Sequence, residues 1–315
     1  MKQNLLAALL LAALSAPAQG AALEETGRRL VKDLSDAVVT VQIVVQQGIS
    51  FGGQERTVQE QKSETTGTII GPDGLTVVSL TTVDPSAMVD RLMRSGGNGM
   101  SSDFDFDVNL TDARLLMPDG REVPATMVLR DRDLDLAFLR PLAPQANPFV
   151  YVDLTASRDV ELLDAVFVVS RMGRVGARQP AISMDRVHAQ IKRPRPFYVL
   201  SQTMAAANKL GAPVFGEDGA PVGVLVLRSV ATPGGGGMSG MFGGLEAMGM
   251  LPIVQPAVDI LETAEQVPPA PEPDPDPDPA GAEEEHAEEE HAEHEHVDDE
   301  YAEEEHAEEE QGDEE

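Results

Sequence analysis

The chain has no cysteine among its 315 residues. This absence excludes a disulfide framework, a thiol nucleophile and any zinc or iron–sulfur site with cysteine ligands. It does not identify the compartment, because many exported proteins also lack disulfides. Histidine is scarce as well, since His188 is the single histidine before residue 266. Any imidazole chemistry in the body of the chain would therefore have to use His188.

Basic residues are missing from residue 266 to the end, a stretch that holds 24 of the 54 acidic residues. The whole chain carries a net charge of −31. The body that remains has 30 acidic and 23 basic residues, a net charge of only −7. The acidity therefore belongs to a tail. Binding to DNA or to an anionic membrane through the net field is excluded.

Long apolar runs are also absent, apart from residues 5–14 near the start. This run follows Lys2 and leads into a segment of small residues in which cleavage after Ala18 or Gly20 is expected. A basic start, a short apolar stretch and an Ala-x-Ala exit are typical of a secretory signal peptide. Residues 1–20 are therefore predicted to be one, and an uncleaved anchor is the alternative. The mature protein is predicted to be periplasmic or secreted, with no transmembrane span.

Short β-branched segments separated by turn signals dominate what is present. Turns built on Pro-Asp-Gly, at 72–74 and 118–120, join pairs of such segments, because Pro presets φ and Gly supplies a positive φ. Many short strands and little helix indicate a sandwich or barrel. Residues 68–80 are predicted to form a hairpin of two strands around the turn at 71–74. Further strands are predicted at 37–45, 113–117, 122–129, 134–139, 166–170, 182–190, 197–202, 213–215 and 222–227, with helices at 23–35 and 252–264. Residues 84–111 are predicted to be an insertion, and the Met-rich residues 238–250 an adaptable loop.

The end of the chain is low in complexity. Residues 265–281 alternate Pro with acidic residues, which favours an extended linker. Residues 282–315 follow a Glu-Glu-Glu-His-Ala repeat and are predicted to be disordered. Candidate metal ligands there are His286, His291, His294, His296 and His306. A five-residue step does not align the repeat histidines on one helix face, so the only cofactor expected is a weakly held divalent cation. The alternative is a solvated polyanionic tail.

Six segments in order resemble the protease domain of the HtrA/Deg family of trypsin-like serine proteases. They are Gly-Thr-Ile-Ile-Gly-Pro-Asp-Gly at 67–74, Pro-Asp-Gly-Arg-Glu at 118–122, Asp-Leu-Ala-Phe-Leu-Arg at 135–140, Pro-Val-Phe-Gly-Glu-Asp-Gly at 213–219 with Val-Gly-Val at 222–224, Met-Leu-Pro-Ile at 250–253, and the opening helix and strand at 30–45. The resemblance implies an all-β fold of two six-stranded antiparallel barrels with short N- and C-terminal helices. The domain would span 24–264, with the first barrel at about 24–150 and the second at 151–264. The family's PDZ domain is not matched, and the acidic tail stands in its place.

The same resemblance locates the catalytic positions. A trypsin-type site needs a serine nucleophile, a histidine base and an aspartate that orients the imidazole. Threonine, as Thr81, stands at the histidine position and Leu210 at the serine position, whereas Asp135 matches the aspartate. Neither a threonine hydroxyl nor a leucine can do the missing chemistry near neutral pH. The resemblance therefore implies a degenerate protease.

The loop before the serine position supplies the oxyanion hole of the family. Here it corresponds to Asn208, Lys209 and Gly211. Asn tolerates unusual backbone angles, so this loop is a candidate vestigial site for an anion or carbonyl, with Lys209 attracting a carboxylate. A filled cleft is the alternative.

Three interpretations of function remain open. The first is an exported pseudoprotease that binds unfolded polypeptide or a related protease in envelope protein quality control, as a homotrimer if it follows the family. The second is an active serine protease with a non-standard centre built around His188. The third places the function in the tail, as a cation buffer or a polyanionic docking arm. No nucleic acid partner is expected.

Overall fold

The structure, a computed structural model, describes residues 16–51, 57–86, 104–229 and 249–269. Within these ranges the chain forms twelve β-strands and four α-helices. Several predicted segments lie outside them: residues 1–15 of the signal peptide, most of the Met-rich loop, the linker from 270 onward, and the tail with its five histidines. Among the described residues, no helix is long and apolar enough to cross a membrane.

The first barrel closes in the strand order β1-β2-β3-β6-β5-β4, and every pair in it is antiparallel. Its strands are β1 (Val38–Phe51), β2 (Thr57–Ile69), β3 (Thr76–Ser79), β4 (Phe104–Leu116), β5 (Glu122–Asp131) and β6 (Leu136–Pro141). Alternate residues along β1 face inward and pack with β4 and β6 side chains as one apolar core. The turn before β3 has the predicted geometry, because Gly74 adopts φ +85° and donates its N–H to the Gly71 carbonyl at 3.0 Å.

The second barrel closes in the order β10-β11-β12-β9-β8-β7, again with antiparallel pairs. Its strands are β7 (Ala165–Arg171), β8 (Pro180–Ile191), β9 (Phe197–Leu200), β10 (Pro213–Gly216), β11 (Pro221–Ser229) and β12 (Met250–Pro256). A separate apolar core fills its interior. The expected fold of two six-stranded antiparallel barrels is therefore confirmed.

Four helices accompany the barrels: α1 (Ala16–Leu34), α2 (Leu80–Val83), α3 (Thr203–Ala207) and α4 (Ala257–Ala264). A third apolar cluster joins the outer faces of both barrels, with Phe138 from the first, Phe215 and Val226 from the second, and Ile260 from α4. Full burial of each such side chain contributes roughly 1.5–3 kcal/mol. The two barrels are thus packed through a continuous hydrophobic interface, and the Asp135 region lies beside it.

Several predicted boundaries were wrong, among them the end of β1, which runs to Phe51 and not to residue 45, and the start of β2, which begins at Thr57 and not at residue 68. The predicted insertion at 84–111 ends earlier than expected, because β4 already begins at Phe104 and pairs with β1 through Phe51. The helix predicted from residue 252 begins only at Ala257. Residues before it belong to β12, where β-branched Ile253 and Val254 pair with β11, and Pro256 ends the strand. Pairing with a neighbouring strand overrode the helical spacing of the apolar residues.

An ion-pair cluster joins the barrels away from their apolar interface. Glu64 on β2 accepts from Arg174 Nε at 2.8 Å and from Arg178 Nη2 at 2.6 Å, both on the turn between β7 and β8. The Glu64 side chain is 13% exposed, so solvent screens it less than a surface carboxylate. The hydrogen bond from Arg178 is the largest of the effects that hold the pKa of Glu64 below its ordinary value of 4.5.

Glu64→Gln is expected to lower the free energy of unfolding by about 1 kcal/mol at pH 7, since both arginines are partly exposed. Because the folded-state pKa of Glu64 is depressed, its contribution is complete above pH 4.5 and is lost as pH falls through the folded-state pKa. Urea denaturation at several pH values would measure this. The matched control is Glu60→Gln, an exposed position on the same strand. If Glu64→Gln still differed from the natural protein by the same unfolding free energy at pH 2.5, the stabilisation could not come from the ion pair.

Candidate functional site

The aspartate and histidine positions of the predicted triad come together at the open end of the first barrel. Strand β3 ends at Ser79, and α2 follows at once with Leu80 and Thr81. Asp135 immediately precedes β6, which is the antiparallel neighbour of β3. The Leu80 N–H donates to the Asp135 carbonyl at 2.8 Å, and Asp135 adopts a left-handed φ of +58°. Sequence reasoning predicted a strand from 134, but this backbone turn delays β6 to Leu136.

The Asp135 carboxylate is saturated with hydrogen bonds. Its Oδ1 accepts from the Thr81 backbone N–H at 2.8 Å and from the Thr81 hydroxyl at 2.6 Å. Its Oδ2 accepts from the Ser79 hydroxyl and from the Leu227 backbone N–H, the latter at 2.8 Å. Leu227 lies on β11, so the carboxylate connects the two barrels. No sequence signal singled out Ser79 or Leu227, because neither residue has a side chain or spacing that marks it.

Burial dominates the electrostatics of this carboxylate. Asp135 is only 7% exposed, and desolvation raises its pKa above the ordinary value, with the hydrogen bonds from Ser79, Thr81 and Leu227 opposing that shift. The partners are hydroxyl and backbone groups. A threonine hydroxyl bound to Asp135 occupies the place where a triad would hold an imidazole, and it cannot act as a general base near neutral pH. The arrangement links the two barrels, and none of the groups that donate to Asp135 is an imidazole.

The turn that should carry the nucleophile follows α3. Leu210 is half-buried and offers no nucleophilic atom. The next residue, Gly211, is buried with φ +89°; its N–H donates to the Leu225 carbonyl at 2.6 Å, and its carbonyl accepts from the Thr68 hydroxyl at 2.7 Å. Thr68 belongs to β2, so the turn is held against the first barrel.

The predicted oxyanion loop does not have the geometry of an open hole. The N–H groups of Asn208 and Lys209 are both directed to the Ala206 carbonyl, and that of Gly211 is used within the barrel. Asn208 has ordinary backbone angles, φ −83° and ψ 1°, instead of the unusual ones considered for it. The three residues expected to bind an anion therefore direct these donors to carbonyls of the chain itself.

The side chain of Lys209 is also engaged within the protein. Its Nζ donates to the Ser183 hydroxyl on β8 at 2.6 Å. Burial lowers the pKa of Lys209, and the charge of nearby Asp185 opposes the shift. Lys209 therefore fastens the nucleophile turn to the second barrel, a role that the sequence did not indicate.

The remaining candidates lie apart from this region. His188 is exposed on β8, and the hydrogen bonds of Asp135 come from β3, α2 and β11 instead. The tail histidines lie outside the described residues. Among the residues that the structure does describe, no cluster of three or more His, Asp or Glu side chains could hold a metal ion.

Comparisons with known proteins agree with the fold. The family model of the trypsin-like peptidase domain matches residues 34–224, from the end of α1 into β11. The chain belongs to the trypsin-like peptidase domain family. This confirms the trypsin-like fold that the sequence motifs indicated. The assignment of Thr81, Asp135 and Leu210 to the catalytic positions rests on the motif resemblance, and the geometry of these residues is the one described above.

No curated protein sequence matches the chain. Among solved structures, the apo protease domain of MamO from Magnetospirillum magneticum is similar at 16% identity and a TM-score of 0.41, covering 73% of this chain and 96% of that one.

Proposed function

We propose that this trypsin-like domain is a non-catalytic, exported pseudoprotease that binds unfolded polypeptide or a related protease. The observation that carries the proposal is the hydrogen bonding of Asp135. In a working triad the aspartate accepts from the imidazole N–H. Here the Thr81 hydroxyl and N–H take one carboxylate oxygen, and Ser79 and Leu227 take the other.

The nucleophile turn supports the same conclusion independently. Leu210 offers no nucleophilic atom, and the amides of Asn208, Lys209 and Gly211 are directed to chain carbonyls. The attacking atom is therefore lacking at the inherited position, and the Asn208 N–H is directed to a chain carbonyl and not to a bound oxyanion. The signal sequence motif motivates the proposed export, and the family resemblance motivates polypeptide, a related protease or a second copy in a trimer as partners.

Long incubation of the mature protein with unfolded casein, followed by mass spectrometry, tests the proposal. Casein should stay intact while co-sedimenting or co-eluting with the protein. Cleavage whose rate follows the protein's own concentration through purification would refute the pseudoprotease assignment. Replacing His188 would then show whether a centre built around that histidine is responsible.

The double variant Thr81→His/Leu210→Ser should gain slow casein cleavage. Its imidazole would take over the hydrogen bond that the Thr81 hydroxyl now donates to Asp135 Oδ1 at 2.6 Å. The matched control is Thr82→His/Leu210→Ser, which moves the histidine by one residue to a hydroxyl that binds the Ser79 carbonyl. Equal activity of the two variants would show that the triad positions are misassigned.

Deleting residues 266–315 should leave casein binding intact, whereas loss of binding would place the function in the tail.

A further inference from the structure

A gap in the second barrel opens where β9 and β12 separate. In the described residues these strands pair at one position, Val254 with Tyr198. Continuing that antiparallel register would put Leu200 opposite Pro252, whose nitrogen has no hydrogen to donate. The ladder stops there, and a cavity of about 570 Å³ lies between β8, β9 and the start of β12.

The wall of this cavity is mainly apolar. The side chains used in the argument below are Ala189 and Ile191 from β8, Val199 from β9, and Met250 and Leu251 from β12. The volume falls within the ~300–1,000 Å³ typical of small-molecule sites, which are also predominantly hydrophobic. The lining residues come from β8, β9, β12 and the segments beside them, with Thr203 at the start of α3. None of them belongs to the turn at 208–211 or to the Asp135 network.

Four cationic residues lie next to lining residues of the cavity, along the chain or across a strand pair. Ile191 leads directly into an exposed turn that carries Lys192, Arg193 and Arg195. Arg228 is the cross-strand partner of the lining residue Leu251, and its guanidinium lies 5.1 Å from the centre of the Phe197 ring.

None of these four cations forms an ion pair within 4 Å in the described part of the chain. Asp259 of α4 is an acidic residue whose pKa responds to two of these cations. Burial and the charge of Glu262 raise the pKa of Asp259, and the charges of Arg195 and Arg228 oppose that shift. Asp259 already accepts from Gln255 Nε2 at 2.5 Å. The local charge is therefore positive in a body whose net charge is negative.

We propose that this cavity binds a single-chain anionic amphiphile, such as a fatty acid. The acyl chain would lie against Ile191, Val199 and Leu251, and the carboxylate would meet the basic turn and Arg228. An apolar wall with a cationic rim complements such a molecule. An extended peptide fits less well, because a strand added at β12 would find no backbone donor at Pro252. This binding activity is independent of the pseudoprotease proposal.

Isothermal titration calorimetry of the mature protein with dodecanoate, below its micelle concentration, tests the site. Dodecanoate should bind, and dodecylammonium, which has the same chain and the opposite charge, should bind at least about tenfold more weakly. The double variant Lys192→Gln/Arg193→Gln should weaken dodecanoate binding by about tenfold, as expected for loss of charge-assisted contacts. Ala189→Met, which fills the cavity, should weaken it as well.

The control double variant Arg121→Gln/Arg132→Gln removes two exposed cations from the first barrel and should bind dodecanoate like the natural protein. Melting curves would identify any variant that fails to fold. If Ala189→Met fails to fold, the double variant Lys192→Gln/Arg193→Gln still provides the test. Absence of dodecanoate binding, equal binding of dodecylammonium, or equal effects of the two double variants would overturn the proposal. Displacement of dodecanoate by lower concentrations of a Leu- and Glu-containing peptide would assign the cavity to polypeptide instead.

Discussion

Asp135→Ala is expected to destabilise the domain by about 4 kcal/mol, although no catalytic histidine stands beside it. The change leaves four donors without their acceptor: the hydroxyls of Ser79 and Thr81 and the N–H groups of Thr81 and Leu227. An unsatisfied buried donor costs about 1–3 kcal/mol, and relaxation or water entry would recover part of the sum. The left-handed φ of +58° adds strain once alanine replaces aspartate.

Asp135→Asn should cost less, about 2 kcal/mol, because asparagine keeps the shape and tolerates the left-handed backbone but turns one acceptor into a donor. Urea denaturation monitored by circular dichroism would compare the two variants. Asp133→Ala, at an exposed position two residues away, is the control and should change little. If Asp135→Ala were as stable as Asp133→Ala, the carboxylate would be a tolerated remnant and not a structural link between the barrels.

The local elements of the fold could be predicted because their signals are local. The Pro-Asp-Gly turns gave the positions of Gly74 and Gly120, which both adopt positive φ. Alternating β-branched residues gave most strands of both barrels. The boundary between β12 and α4 was missed, because Ile253 and Val254 gain their strand conformation from pairing with β11, which a spacing pattern does not contain.

The candidate site could be predicted only by position. The family resemblance gave Thr81 and Asp135, and the structure brings them within hydrogen-bonding distance. The fourth donor, Leu227, is 92 residues away and uses a backbone N–H, which every residue except proline has. The Lys209 contact with Ser183 also depends on tertiary packing between distant segments. Such contacts carry no periodicity, so they could not be read from one sequence.

Gly211→Ala is expected to prevent stable folding, with a loss of more than about 4 kcal/mol. A Cβ at this position would lie 1.9 Å from the Thr66 carbonyl oxygen and 2.9 Å from its carbon, both backbone atoms of β2. Relieving this clash would require the 208–211 turn to move away from the first barrel. That movement would disrupt the hydrogen bonds of Gly211 with Thr68 and Leu225. Glycine is thus required here for close packing between barrels, whether or not any oxyanion chemistry survives.

The variant Gly120→Ala tests whether a steric clash or the positive φ is the reason that position 211 requires glycine. Gly120 has nearly the same φ, +87° against +89° for Gly211, but a Cβ there would meet nothing within 4 Å. It should therefore cost only the left-handed penalty of about 1–2 kcal/mol. Thermal melting and soluble yield of the two variants would be compared under identical conditions. Similar losses for both would mean that φ alone constrains Gly211 and that the turn can move freely. A much larger loss for Gly211→Ala would show that the turn at 208–211 is fixed against the first barrel by close packing.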